Sequence, residues 1–247
     1  MLVHGAAADH TTFRVVGPTF AERHAVHAID RRGRGASGDG DTYSVLREFE
    51  DIAAVIDDAA RQAGSAVDVV GHSFGGRCGL GAALLTQRLR RLVVYEGAPA
   101  SPETPYQAPD VLPRLMRLRD AGRNEELLET FLGRVVGMNE SELDAYRANP
   151  VWPLRVAAAP TIVRELAAEA SPEAGLDALG NVDQPVLQVL GGDSRAEFRF
   201  ATEALDTRLR HGRMVVIDGA KHAAHHTHAA EFVLAVEAFL ADDDMAD

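Results

Sequence analysis

Cysteine is nearly absent from this chain of 247 residues: Cys78 is the only one. An intrachain disulfide is therefore excluded, and nothing in the cysteine content indicates an oxidising compartment. No apolar run approaches the ~20 residues of a membrane span, and the first residues lack the charged-then-apolar pattern of a signal peptide. These absences predict a cytoplasmic protein that does not enter a membrane.

Positive charge is also scarce, because 25 Lys and Arg residues stand against 37 Asp and Glu, for a formal net charge of −12. Nucleic acids and anionic membranes bind positively charged surfaces, so neither is expected as a partner. Hydrophobic residues make up 46% of the chain, which is enough for the core of one α/β domain.

A short β-branched run from Val67 to Val70 ends at Gly71-His72-Ser73-Phe74-Gly75, and an Ala-, Leu- and Gly-rich helix pattern follows. The pattern G-x-S-x-G between a strand and a helix is typical of a sharp turn that exposes a nucleophilic serine. The glycines lack Cβ atoms, so the turn and the helix can approach closely. The N–H groups at the helix start point at whatever bonds to the hydroxyl. Ser73 is therefore the candidate nucleophile.

Strand and helix patterns alternate along most of the chain, which predicts a mostly parallel sheet with helices on both faces. The segment 99–184 differs, because its helical patterns are broken by prolines and contain no strand pattern. It predicts a helical cap inserted into a core formed by residues 1–98 and 185–247, with helices at 111–121, 124–136, 140–148 and 154–170. Outside this segment, strands are predicted at 24–29, 67–70, 91–95, 185–190 and 214–217, and helices at 11–22, 45–63, 196–209 and 229–240.

Four polar residues follow predicted strands: Ser73, Glu96, Asp193 and His222. Ligands gather at the C-terminal ends of parallel strands, so these residues are expected to meet there. A serine nucleophile needs a base that is itself oriented by a carboxylate. His222, after the last strand, is the candidate base. Glu96 and Asp193 both qualify as the acid.

An oxyanion needs preorganised donors, and the N–H groups of Phe74 and Ala6 are the candidates. The three histidines His225, His226 and His228 suggest a metal site. No cysteine and no regularly spaced acidic residue accompanies them, however, so neither a metal nor another cofactor is predicted.

Together these segments resemble the α/β-hydrolase superfamily over essentially the whole length. The matching pieces are residues 2–5, 30–37, 71–76 and 219–222. The resemblance implies a serine hydrolase with Ser73 as nucleophile, His222 as base, Phe74 and Ala6 as oxyanion donors, and a helical cap. The turn carries a serine in place of an aspartate. In this respect the chain is similar to esterases, thioesterases and lactonases rather than to epoxide hydrolases or dehalogenases.

One departure from the family pattern concerns the acid. It commonly lies three residues after the glycine that ends the penultimate strand, which from Gly191 is Ser194. Some members instead carry it at the end of the strand after the nucleophile helix, where Glu96 lies. Glu96 is therefore preferred, and Asp193 is kept as the alternative.

A second departure is that the family's usual first two strands appear absent, since the chain opens on the strand before the His4-Gly5 loop. Either the start of the sequence has been cut or misassigned, or the sheet is shorter. In a shorter sheet the strand predicted at 24–29 would be an exposed edge, which favours pairing with another chain. This predicts either a homodimer formed through that edge or low stability.

The sequence thus predicts a hydrolase that cleaves a carboxylic ester, thioester or lactone of a small molecule through an acyl-enzyme intermediate. One alternative is a non-catalytic small-molecule binder on the same fold. Another is a cofactor-free acyl transferase or perhydrolase, in which a nucleophile other than water accepts the acyl group.

Overall fold

Six parallel strands form a single sheet in the computed structural model, which describes residues 1–242. The strands are β1 (Leu2–Val3), β2 (Ala28–Ile29), β3 (Val67–His72), β4 (Leu89–Tyr95), β5 (Val186–Gly191) and β6 (Gly212–Ile217). Their order is β2-β1-β3-β4-β5-β6, and every neighbouring pair is parallel. The predicted α/β class and the mostly parallel sheet are confirmed.

Twelve α-helices accompany the sheet within the described residues. They are α1 (Gly17–Ala21), α2 (Val45–Ala63), α3 (Phe74–Ala83), α4 (Val111–Asp120), α5 (Asn124–Phe131), α6 (Glu140–Arg147), α7 (Trp152–Ala158), α8 (Pro160–Ala168), α9 (Leu176–Leu179), α10 (Ala196–Asp206), α11 (Ala224–Thr227) and α12 (Ala229–Leu240). None of them combines the length and the apolar character needed to cross a membrane.

Apolar side chains pack in two cores, one on each face of the sheet. Successive strand residues point to opposite faces, and accordingly Val69 and Val94 belong to one core while Val70 and Val93 belong to the other. The first core also contains residues of α2, α3 and the segment 99–184, and the second contains residues of α12. β4 and β5 are consequently buried on both faces, as the centre of a parallel sheet requires.

Helix α2 coincides with the predicted helix 45–63, because both of its ends are encoded locally. The Ser44 side chain accepts a hydrogen bond from the Arg47 amide at the start, and Gly64 ends the helix at φ 70°. The predicted helix 11–22 is instead split into a 3₁₀ turn (His10–Phe13) and α1. Pro18 lies in the first turn of α1, a position that suits the start of a new helix better than the interior of a longer one.

The predicted strand 24–29 is shorter in the structure. Only Ala28 and Ile29 form β2, which lies at the edge of the sheet. Its partner β1 is itself only two residues long, so no further ladder is available to the residues before Ala28.

Residues 99–184, called the helical segment below, contain α4 to α9 and no strand. The pattern that predicted one helix over 154–170 is divided into α7 and α8, with Pro160 at the start of the second. The pattern over 124–136 becomes α5 followed by a π-helical turn (Leu132–Val136), which ends at Gly137 with φ 89°. Several residues of this segment lie over the C-terminal ends of the strands.

Candidate active site

Ser73 lies in the sharp turn between β3 and α3, with φ 54° and ψ −128°. A non-glycine residue with this backbone is strained, typically by about 1–3 kcal/mol. The turn is also tight: a Cβ at Gly71 would lie 2.5 Å from the Gly76 Cα, and one at Gly75 would lie 2.3 Å from the His4 carbonyl oxygen. Both glycines therefore have a steric reason to occupy these positions.

His222 and Glu96 meet at the C-terminal edge of the sheet. The Nδ1 atom of His222 is 2.6 Å from Oε2 of Glu96, and both side chains are buried. The other carboxylate oxygen, Oε1, accepts hydrogen bonds from the Gly191 amide at 2.8 Å and from the Ser194 hydroxyl at 2.5 Å. With Nδ1–H donating to Glu96, Nε2 of His222 is the ring nitrogen that can accept a proton.

Asp193, the other candidate acid, is exposed, and its side chain makes no hydrogen bond or ion pair with any residue in 1–242. Its amide donates to the Ala220 carbonyl at 2.9 Å, so its backbone takes part in the loop although its carboxylate does not contact His222. The structure thus brings Glu96, and not Asp193, to His222.

The loop that bears His222 is held by two residues for which the sequence predicted no role. Nε2 of His72 donates to the His222 carbonyl at 2.8 Å, and the Tyr95 hydroxyl donates to the Lys221 carbonyl. Burial, with the nearby His222 as the next contribution, lowers the pKa of His72 well below its usual value, so this ring is neutral. The His222 ring is also stacked on Phe198, with centroids 4.6 Å apart. His72 lies in the variable place of the serine motif, where the pattern alone gives no signal.

A cavity of about 30 Å³ joins the candidate residues. Ser73, His222, Phe74 and Ala6 all line it. The Ser73 hydroxyl makes no hydrogen bond to His222 among the described residues, a contact that in many hydrolases tightens only when substrate is bound. The amides of Ala6 and Phe74 donate no hydrogen bond to another residue in 1–242, so both are available to an oxygen in the cavity.

The far wall of the cavity comes from the helical segment and is mainly apolar. Two charged residues interrupt this lining, Glu165 and Glu169, and Arg77 of α3 lines the cavity as well. Arg77 pairs with Glu169 at 3.1 Å, and burial is the main cause that raises the pKa of the Glu169 carboxyl. The apolar lining residues are Phe131, Val135, Val136 and Leu166 of the helical segment and Phe198 of α10.

Glu165 of α8 joins the helical segment to the core in a buried ionic cluster. Its Oε1 atom accepts hydrogen bonds from Arg31 and Arg34, each at 2.6 Å, and Arg31 also donates to Glu48 at 2.9 Å. All four side chains are buried. The segment 30–37 contributed to the resemblance described above. Its sequence gave no indication, however, that two of its arginines bind a helix of the helical segment.

The structure places two of the three C-terminal histidines, His225 and His226, beside Thr12. Within residues 1–242 there is no group of three or more His, Cys, Asp or Glu side chains that could hold a metal ion. His225 and His226 lie instead beside the Thr12 hydroxyl, at 3.3 and 3.4 Å, and their rings pack together with centroids 4.2 Å apart.

Comparison with known proteins gives a consistent picture. Residues 1–236 match the alpha/beta hydrolase family. The chain is 28% identical over 256 residues to the pimeloyl-[acyl-carrier protein] methyl ester esterase of Aeromonas hydrophila subsp. hydrophila, covering 97% of this chain and 94% of the relative. It is 27% identical to the enzyme of the same name from Neisseria meningitidis serogroup B, covering 94% of this chain and 88% of that one.

Solved structures agree with the fold. An alpha/beta hydrolase from Sphaerobacter thermophilus is 30% identical with a TM-score of 0.77, covering 94% of this chain and 91% of that one. An enol-lactonase from Burkholderia xenovorans has the same fold, with a TM-score of 0.76 at 17% identity and a coverage of 98% of this chain and 90% of that one.

Proposed function

Because this chain belongs to the alpha/beta hydrolase family and is an esterase-like hydrolase, we propose that it cleaves a carboxylic ester of a small molecule through an acyl-enzyme formed on Ser73. The 2.6 Å contact between His222 Nδ1 and Glu96 Oε2 is the observation that supports this most directly. It lies at the cavity that Ser73 also lines, so a nucleophile, a base and an orienting acid share one small space.

In the first half-reaction, Nε2 of His222 takes the proton of the Ser73 hydroxyl as its oxygen attacks the ester carbonyl carbon. The carbonyl oxygen becomes an oxyanion, to which the amides of Ala6 and Phe74 donate. Each such donor typically lowers the barrier by about 2.7–4 kcal/mol. His222 then gives its proton to the departing alcohol, which leaves the acyl group on Ser73.

In the second half-reaction, water replaces the alcohol. His222 takes a proton from the water as it attacks the acyl carbonyl, and returns that proton to Ser73 as the acid product departs. Glu96 accepts the hydrogen bond from Nδ1–H of the imidazole in both half-reactions, so that Nε2 faces the reacting atoms.

The substrate that fits this site best is a simple alkyl ester with an apolar acyl part. The relatives are named as methyl ester esterases, which supports an oxygen ester ahead of a thioester or lactone. The apolar wall from Phe131 to Leu166 supports an apolar acyl group. The cavity of about 30 Å³ is smaller than the about 300–1,000 Å³ of most ligand pockets, so we expect side chains that line it to move when substrate binds.

The test compares the wild type with S73A, using an active-site fluorophosphonate probe and a panel of methyl, ethyl and p-nitrophenyl esters, thioesters and lactones. We expect labelling and ester turnover in the wild type. S73A should not be labelled, and its kcat should be lower by a factor on the order of 10⁶. A folded wild type that is neither labelled nor active would favour a non-catalytic small-molecule binder. Faster acyl transfer to an added alcohol than to water would favour an acyl transferase.

A further inference from the structure

Ser194 contacts the candidate acid from the side opposite to His222. Its hydroxyl donates to Oε1 of Glu96 at 2.5 Å, while Oε2 of the same carboxylate meets His222 Nδ1 at 2.6 Å. A single carboxyl group therefore separates the serine hydroxyl from the imidazole. Ser194 belongs to the loop after β5, whereas Glu96 follows β4, so this hydrogen bond joins two neighbouring strand ends.

We propose that Ser194 is a positioning residue, whose hydroxyl fixes the Glu96 carboxylate in the orientation that holds His222. This inference rests on the proposed esterase function. Ser194 touches neither the substrate nor the reacting atoms, and acts only through Glu96.

The geometry explains why a positioning residue is needed. Glu96 has three side-chain torsions, and its backbone is at φ 46°, so the carboxylate reaches His222 only if other contacts select one rotamer. Two donors do this, the Gly191 amide and the Ser194 hydroxyl, and both bind Oε1. Without the hydroxyl, Oε1 keeps one donor and the carboxylate can turn about that remaining bond.

Ser194 is itself held in place. Its amide donates to the Gly191 carbonyl at 3.2 Å, and a Cβ added to Gly191 would lie 2.7 Å from the Ser194 hydroxyl oxygen. The serine side chain therefore lies directly against the end of β5, in the narrow space between that strand and Glu96.

The same geometry makes position 194 a second place from which a carboxylate can serve His222. An aspartate there would put its carboxyl carbon where the serine oxygen lies, with its oxygens extending into the space that a truncated Glu96 leaves. This agrees with the family resemblance, in which the acid commonly lies at the position that Ser194 occupies here.

The first experiment compares S194T with S194V, which match in shape and differ only in the hydroxyl. Measured quantities are kcat and KM on the best ester and the rate of fluorophosphonate labelling of Ser73. We expect S194T to stay within about threefold of the wild type. In S194V, kcat and the labelling rate should fall about ten- to a hundredfold with KM unchanged, the size expected for a lost hydrogen bond to a charged group. Equal rates in the two variants overturn the proposal.

The second experiment asks for rescue and does not depend on how well a branched side chain fits at 194. E96A should be nearly inactive, and E96A/S194D should exceed E96A/S194N at least tenfold in kcat, since only the former restores a carboxylate. Equal activity of the two double variants overturns the placement of the Ser194 side chain against the Glu96 carboxylate.

The two experiments separate the failure of this inference from failure of the proposed function. A wild type without labelling or turnover refutes the esterase itself. A wild type that is active while E96A is equally active refutes Glu96 as the acid, and with it any role of Ser194 through Glu96.

Discussion

Two residues with positive φ, Ser73 and Glu96, follow adjacent strands and line the same cavity. Backbone hydrogen bonds hold each of them in this conformation. The Ser73 amide donates to the Tyr95 carbonyl at 2.8 Å, and the Glu96 amide donates to the Val189 carbonyl at 3.1 Å. Strain of about 1–3 kcal/mol per residue is tolerated where the surrounding ladder fixes the chain, and here it turns two side chains towards one point.

The choice between the two candidate acids leads to a prediction at this scale. E96Q should lower kcat by about 10⁴-fold, because an amide no longer stabilises the imidazolium or fixes its tautomer. D193N should stay within twofold of the wild type, because its carboxylate is exposed and unpaired among residues 1–242. Steady-state kinetics on one ester measures both. The reverse pattern, with D193N inactive and E96Q active, would contradict the arrangement described above.

At the residue scale the sequence located most of the candidate site but not the contacts that support it. Ser73 and His222 were found from a motif and from their places after strands. Glu96 and Asp193 could not be separated physically, because both follow apolar runs and only burial distinguishes them. The contacts of His72 and Ser194 depend on loop conformation, which no local pattern encodes.

At the scale of elements, the helical segment is tied to the core by ion pairs of two kinds. Glu165 pairs with Arg31 and Arg34 in a buried cluster, in which all three side chains are no more than 1% exposed. Glu142 of α6 pairs with Lys221 at 2.6 Å near the surface, with side chains 35% and 46% exposed. The two kinds of pair should contribute very differently to stability.

This contrast can be measured with E165Q and E142Q, which remove one charge each and preserve shape. E165Q leaves two buried arginines with one fewer carboxylate and should lower the free energy of unfolding by about 3–5 kcal/mol. E142Q breaks an exposed pair and should change it by no more than about 1 kcal/mol. Urea unfolding followed by circular dichroism gives both values. Equal effects of the two variants would show that the Glu165 cluster does not anchor the segment.

Element boundaries were predictable where their signals are local. The bounds of α2 follow from Ser44 and Gly64, and α12 coincides with the predicted helix 229–240. Prolines were the main source of error, since Pro18 and Pro160 start new helices inside patterns that otherwise appear continuous. The predicted length of the strand at 24–29 was wrong. The ladder of a strand is limited by its partner, and the partner β1 has only two residues.

At the scale of the whole molecule, the alternation of strands and helices was enough to predict the parallel sheet. The order of the strands was not predicted, because periodicity does not say which strands are neighbours. The self-association predicted at the β2 edge stays a prediction, which light scattering on the full chain can test.

Buried histidines make the stability of the whole molecule depend on pH. Burial, with neighbouring histidines as the next contribution, lowers the pKa of His72 and His225 well below 6.5. Burial and the nearby Arg14 lower the pKa of His226 from 6.5 to about 4. The unfolded chain therefore binds protons at these sites below about pH 6.5 while the folded chain does not, so stability falls as the pH decreases.

The free energies of unfolding measured with urea at pH 7.5, 6 and 5 should therefore decrease in that order, by up to about 1.4 kcal/mol per pH unit for each such histidine. The raised pKa values of Glu48 and Glu169, caused mainly by burial, act in the opposite direction, since these groups take up protons in the folded state first. H226Q isolates the histidine effect and should flatten the dependence. A wild type that is equally stable at pH 7.5 and pH 5 would contradict this prediction.

The pairing of β3 with β4 has one further consequence. His72 and Tyr95 are directly opposite each other in the ladder, and Ser73 and Glu96 are the residues that follow them. The spacing between these two side chains is thus dictated by strand register, with no connecting loop involved in setting it. Insertions and deletions in the surrounding loops can accumulate over evolution without altering that spacing, whereas a one-residue slip between the two strands would separate the pair at once.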